Sequence, residues 1–170
     1  RFFGRVPLID RLFTDPAQQN NVPQSTPAQI YALIESDLVF AAANLPLSWD
    51  AKFVGRATRG AANGLLAKVY LTQQKWTEAM SAANAVMTSA QYDLSTPYDR
   101  IFREEGENSK ESVFEVQATA SAAIPSNNGV QYAQIQGVRG AGIWDLGWGW
   151  NSPSPQLEAA YEANDPRKNR

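Results

Sequence analysis

Apolar side chains recur at helical spacing in three stretches of the chain and lose that rhythm elsewhere. In the first, Ile30, Leu33, Ile34, Leu38 and Ala41 repeat every three or four positions, the pattern of a helix that buries one face. Thr26-Pro27-Ala28-Gln29 supplies a capping box with proline at the first helical position, and Pro46 ends the run. Glu35 and Asp37 fall largely off the apolar stripe and are expected in solvent. The second helix starts near Thr58 and turns Ala61, Ala62, Leu65, Leu66, Val69 and Tyr70 inward. After Gln73-Gln74-Lys75 a third helix opens at Trp76-Thr77 and runs through Ala79, Met80, Ala83, Val86 and Met87. Trp76 is expected to pack. Alanines dominate both helices, so their axes can approach to the short end of the usual ~8–10 Å range.

The second and third helices resemble a tetratricopeptide-like hairpin. Leu66, Ala67, Tyr70, Ala79 and Ala83 stand where that repeat has a large apolar, a small residue, an aromatic and two small residues. The turn lacks the usual glycine. One such unit is clear, and the first helix fits half of a neighbour. Repeats of this kind stabilise one another from about three units upward, so further units are expected outside this chain.

Outside the helices the pattern is of loops. Gly4, Pro7, Asp15-Pro16, Asn20-Asn21 and Pro23 break residues 1–26, with Val6, Leu8, Ile9, Leu12 and Phe13 as anchors. Residues 46–57 form a loop with Trp49 and Phe53, and Leu94 to Phe102 another with Tyr98 and Phe102. Arg103 to Glu111 is a charged turn. Ser112–Thr119 alternates, with Phe114, Val116 and Ala118 on one face, and predicts a short strand. Residues 120–155 are rich in Ala, Ser, Gly, Asn and Gln and are too long for a routine connection. Ser154 or Pro155 opens a last helix with Leu157, Ala160 and Tyr161 inward, and Asp165-Pro166-Arg167 stops it. The expected fold is mainly α, with at most a short strand or two. Residues 27–91 carry the tetratricopeptide-like helices, 92–155 a loop-rich region with an aromatic platform, and 156–164 the closing helix.

Composition narrows the chemistry. At 170 residues with 44% hydrophobic and 19% charged, the chain is long enough for one domain with a core. Its net charge is −2 without a basic run, which argues against nucleic acid. No apolar run approaches the roughly 20 residues of a membrane helix. Cysteine and histidine are both missing, so this chain holds no Cys nucleophile, no Ser-His-Asp triad and no His or Cys metal site. Glu104, Glu105, Glu111, Glu115 and Asp145 offer carboxylates, but no spacing fixes the pair a glycosidase needs, roughly 5–9.5 Å apart. The expectation is a protein that is not an enzyme and carries no cofactor.

The densest chemical signal is Gly142-Ile143-Trp144-Asp145-Leu146-Gly147-Trp148-Gly149-Trp150-Asn151. It holds three of the five tryptophans, and Gly137 and Gly140 stand just before it. Glycine lets chains approach closely, and tryptophan offers a large flat face with one N–H donor. The segment reads as an irregular aromatic platform of the kind that suits sugars. The tryptophans have a second reading, as core plugs whose bulk the glycines accommodate. Asp145 adds a hydroxyl acceptor. Asn127, Asn128, Gln131, Tyr132, Gln134 and Gln136 add amides and a phenol, and Trp49 and Tyr98 are further loop aromatics.

Several segments together resemble one family, the SusD/RagB outer-membrane nutrient-binding lipoproteins of Bacteroidetes. Phe3 through Ile9 is similar to its FGDVPLI stretch, with Arg5 where the family more often has an acid. Ile30 through Pro46 resembles IYxLIxxDLxxAxxxLP, and Gly55 through Leu71 resembles GRATKGAAxxLLAKVYL. Trp76 to Ala79, Phe102 to Glu105, Asn108 to Glu115, Gly147 to Pro153, and Leu157 to Arg167 continue the likeness in order.

The resemblance implies a helical fold with a loop-rich binding side, in a full protein about three times longer. It implies a lipidated cysteine outside this chain that anchors the protein at the cell-surface face of the outer membrane. It implies a SusC-like TonB-dependent transporter as partner, and capture of glycan, or in some members peptide, without chemistry. The Gly-Trp-Gly-Trp pattern is general to the family whatever the ligand, which pushes Trp148 and Trp150 toward structure and leaves open whether they are core or ligand-facing. Trp144 is then the first candidate for ligand contact, followed by Trp49, Tyr98 and Tyr132, with Asp145 and Asn128 holding hydroxyls. The runner-up is a helical-repeat scaffold or lid that acts through protein contacts. Excised from its neighbours, the segment is expected to aggregate through its apolar faces.

Overall fold

The computed structural model describes residues 3–118, 123, 135–140, 142–145, 147–165 and 168. The chain divides into two compact units, Arg1–Glu115 and Val116–Arg170.

The first unit is built on three helices, α2 (Pro27–Asn44), α3 (Arg59–Thr72) and α4 (Trp76–Met87), after a single helical turn α1 (Pro16–Gln19). α3 packs against both α2 and α4. The capping box forms as the sequence requires. Thr26 Oγ1 accepts the Gln29 N–H at 3.3 Å, and Gln29 Oε1 accepts the Thr26 N–H at 2.9 Å. Thr58 caps α3 by accepting the Ala61 N–H at 3.1 Å. The core between α3 and α4 is small and made of Ala62, Leu66, Ala79 and Ala82. Alanine faces let these helices pack closely.

The inner stripe of α4 differs from expectation. It consists of Ala79 and Ala82, with Ala83 and Val86 half-buried, while Met80 and Met87 are exposed. Each methionine lies one residue, about 100° of rotation, past a packed position. Leu65 of α3 is likewise exposed, and Trp76, expected to pack, is 61% exposed. On α2, Val39 and Phe40 are exposed, while Ile30, Leu33, Ile34 and Leu38 are half-buried.

The α3–α4 turn solves its missing glycine with Gln74 at φ 61°. A non-glycine residue pays about 1 kcal/mol or more for that conformation. Glu35, expected in solvent, holds the turn: its Oε1 accepts from Gln73 Nε2 and Lys75 Nζ, both at 2.5 Å. The Lys75 hydrogen bond holds the Glu35 carboxyl below the usual carboxylate range, against partial desolvation and with help from Gln73.

Two further expectations are corrected. Residues 112–118 form no strand, although their polarity alternates. Ser112 Oγ and the Asn108 N–H instead bond the Glu115 carboxylate, which folds the segment back on the preceding turn. The sheet among the described residues lies where only loop was expected. β1 (Val6–Pro7) pairs antiparallel with β2 (Gln24–Ser25), Val6 opposite Ser25 and Pro7 opposite Gln24. Of the anchors in that segment, Val6, Leu8 and Phe13 are half-buried, and Ile9 and Leu12 are exposed.

In the second unit the described residues include a short helix α5 (Pro155–Ala159), capped by Ser154 Oγ accepting the Leu157 N–H at 3.2 Å. It is shorter than the expected 156–164 helix. Leu157 and Ala160 are exposed rather than inward, and Tyr161 is half-buried.

Candidate functional site

Two aromatic surfaces carry the candidate chemistry, one in each unit. In the first unit a cleft of about 230 Å³ opens beside the loop between α2 and α3. Two contacts fix that loop. The Arg59 N–H donates to the Pro46 carbonyl at 2.9 Å, and Trp49 Nε1 donates to the Ala57 carbonyl at 2.9 Å. Trp49 therefore spends its donor inside the loop and offers ring surface, 38% of the residue being exposed.

Trp49 stands edge to face with Phe53, ring centroids 6.2 Å apart. The Arg56 guanidinium lies 4.0 Å from the Phe53 centroid and 5.4 Å from that of Trp49, and Lys52 Nζ lies 4.8 Å from Phe53. Cations over ring faces are attracted by the ring quadrupole, by about 0.5–1 kcal/mol at exposed sites. Sequence reasoning missed Arg56 and Lys52. Both lie within a few residues of Trp49 and Phe53 in one short loop that contains a 3-10 turn, Ala51–Phe53, and that local clustering of cations and rings is the signal. The opposite wall of the cleft includes Tyr92, Asn108, Ser109, Lys110, Val113 and Glu115. Ser109 Oγ there is buried without a hydrogen-bond partner.

Tyr98, the other aromatic candidate of this unit, does not line the cleft. It is exposed and pairs edge to face with Phe102 at 6.5 Å.

The aromatic segment of the second unit is organised by its glycines. A methyl group at Gly147 would come within 2.4 Å of the Gly137 backbone, so two strands of chain cross there with no room for a side chain. The Gly147, Gly149 and Trp150 N–H groups donate to the carbonyls of Val138, Gly137 and Ile135 at 3.0, 2.9 and 3.1 Å. Gly149 takes φ 67°, a conformation glycine reaches freely. Asp145 Oδ1 accepts the Gly140 N–H at 2.6 Å and closes the intervening loop, which gives this candidate a holding role in the fold. Trp144 ends a single 3-10 turn, Gly142–Trp144. Trp148 and Trp150 are 55% and 63% exposed, although their motif pushes them toward structure. Their backbone is the structural part, through its bonds to 135–138, and it carries both rings outward. Tyr132 and Asn128, with Asn127, Gln131 and Gln134, lie outside the described residues.

Among the described residues no group of three or more acidic, His or Cys side chains is placed to hold a metal. No helix among them is long and apolar enough to cross a membrane.

Comparison with known proteins converges on one family. Residues 1–71 match a SusD-like family described as starch-binding and associating with the outer membrane. SusD-like protein P2 of Formosa agariphila is 28% identical over 99% of this chain and 34% of its own length. A laminarin-binding SusD-like protein superposes with a TM-score of 0.81 at 28% identity, over 91% of this chain and 38% of that one. A SusD-like carbohydrate-binding protein from Bacteroides fragilis superposes with a TM-score of 0.81 at 26% identity, over 97% of this chain and 32% of that one. The chain thus spans about a third of the length of these relatives. The match over residues 1–71, the relatives that align with nearly the whole chain and the helical architecture shared with them make the chain similar, in sequence and in fold, to SusD-like proteins.

Proposed function

We propose that this chain is part of a glycan-binding protein at the cell surface, anchored in the outer membrane, that passes oligosaccharide to a SusC-like TonB-dependent transporter without chemical change. The observation that carries the reading is the likeness in fold to a laminarin-binding SusD-like protein. The aromatic surfaces support it. Exposed rings on a fixed backbone stack on sugar faces, and nearby amides and acids hold hydroxyls. Trp144, Trp49, Tyr98 and Tyr132 are the proposed stacking residues, with Asp145 and Asn128 as polar contacts. Peptide in place of glycan is the nearest variant of this reading.

A scaffold role through protein contacts is a second reading, favoured by the exposed Trp76, Met80 and Met87 along α4. Titrating the tryptophan emission of the full-length protein with laminarin, other glycans and peptides separates the two. A shift with one glycan class supports capture. Silence toward every glycan and peptide, with a transporter still co-purifying, supports the scaffold.

A further inference from the structure

Two cations stand over the aromatic rings of the Trp49 cleft. Arg56 covers Phe53 and approaches Trp49, and Lys52 covers Phe53 as well. Among the described residues neither side chain pairs with a carboxylate, while the Arg56 backbone N–H donates to the Phe53 carbonyl at 3.2 Å. The chain's acids are engaged differently here. Glu115, the carboxylate lining the cleft, accepts from the Asn108 N–H and the Ser112 hydroxyl. Lys110, the other cation of the lining, lies 3.6 Å from Asp93. Arg56 and Lys52 are thus the cations of this loop left without an ion-pair partner among the described residues.

The geometry also fixes what such a site would hold. A guanidinium stacked on aromatic rings uses its face and keeps its edge donors for planar anions, which it binds through two parallel hydrogen bonds. The part-exposed Trp49 ring beside it offers a flat surface of the size of one pyranose. The loop that carries both is pinned at Pro46 and Ala57, so the rings and the cation stay in register without a ligand.

We propose that the Trp49–Phe53–Arg56 cleft is a subsite for an acidic sugar, a uronate or sulfated residue of a glycan. The ring lies on Trp49, and the carboxylate or sulfate meets Arg56, with Lys52 adding charge at the rim. The proposal rests on the glycan-binding reading above and names the class of glycan that reading leaves open.

The test is affinity electrophoresis and calorimetry of the full-length protein with polygalacturonate, κ-carrageenan and laminarin. The first two separate carboxylate from sulfate, and laminarin is the neutral reference. One or both acidic polymers should bind, less tightly as salt rises. Arg56→Gln should weaken that binding at least about tenfold, as loss of a charge-assisted pair does. Arg56→Lys should fall between the two, since it keeps charge and loses the fork. The exposed Lys52→Gln variant gives a smaller loss in the same direction and decides the matter if Arg56→Gln lowers the melting temperature. Acidic-glycan binding that survives all three substitutions overturns the subsite. Binding of laminarin without either acidic polymer also overturns it and leaves the glycan-binding reading standing. Binding of none of the three likewise overturns the subsite, and the glycan-binding reading is then decided by the wider panel of glycans and peptides.

Discussion

Gly60, in the first turn of α3, lies directly under the ring of Tyr92: a methyl group on it would sit 2.2 Å from the tyrosine Oη. The same Oη is 3.0 Å from Thr58 Oγ1, the side chain that caps α3. One glycine thus lets a distant loop residue close over the helix start. Alanine is the better helix former by about 1 kcal/mol. Even so, Gly60→Ala should destabilise by about 1–2 kcal/mol, because the ring must move and its hydrogen bond is lost. The check is a double-mutant cycle by denaturant unfolding. In a Tyr92→Ala background the same substitution should become neutral or stabilising. A loss that persists without the tyrosine ring would remove the steric explanation.

The crossing at Gly147 is less forgiving, because the obstacle is backbone at Gly137 and not the end of a side chain. Gly147→Ala should separate the two segments and release the Gly147 and Gly149 bonds to 138 and 137. Near-UV circular dichroism should lose tryptophan fine structure while far-UV helicity stays. Glycan binding should drop about tenfold or more if these rings contact ligand, the scale of one lost aromatic contact. An unchanged tryptophan spectrum would mean that the crossing does not shape the aromatic segment.

The Glu35 clasp predicts a pH dependence with a defined sign. The folded-state pKa of this carboxyl is depressed below 4.5 by Lys75. Its contribution is therefore complete above the unfolded value and disappears as pH falls through the folded one. The pair is partly open to solvent, with Lys75 at 40% and Glu35 at 20% side-chain exposure, so its worth is about 0.5–1 kcal/mol. Glu35→Gln should cost that much at pH 7. The difference from wild type should shrink as pH drops below about 4.5, near the unfolded carboxylate value. A stability gap that is constant from pH 7 to pH 3 would show that the charge is not the cause.

The apolar faces of the helices give a prediction about the isolated 170 residues. Val39 and Phe40 on α2, and Trp76, Met80 and Met87 on α4, stand in solvent, while the shared core holds few fully buried side chains. Static light scattering should show concentration-dependent association. A sharp, reversible melt of a monomer would contradict this.

How much of this was legible in the residues follows from the range of the interactions. Local signals held: Thr26 with Gln29, Thr58 before α3, and Ser154 before the last helix act within three or four positions, and all three cap as read. The family motifs also led to the right architecture. Contacts across long separations were not legible. Glu35 looked solvated because its partners lie 38 and 40 residues away. Phe114 and Val116 alternate like a strand, yet among the described residues no strand pairs with them, and Glu115 folds the chain locally instead. The motif of Trp148 and Trp150 pushes them toward structure, but a motif fixes backbone and does not say where rings point. The Arg56 stack was within reach, since its spacing from Trp49 and Phe53 is local.

The central claim is that the protein binds glycan and leaves it intact. Calorimetry of the full-length protein with laminarin and the acidic polymers, with reducing ends assayed in the same cell, tests both halves together. Saturable heat is expected with at least one glycan, lost when the contacting aromatic is changed to alanine, with no increase in reducing ends. New reducing ends, or no heat with any glycan, would contradict that claim.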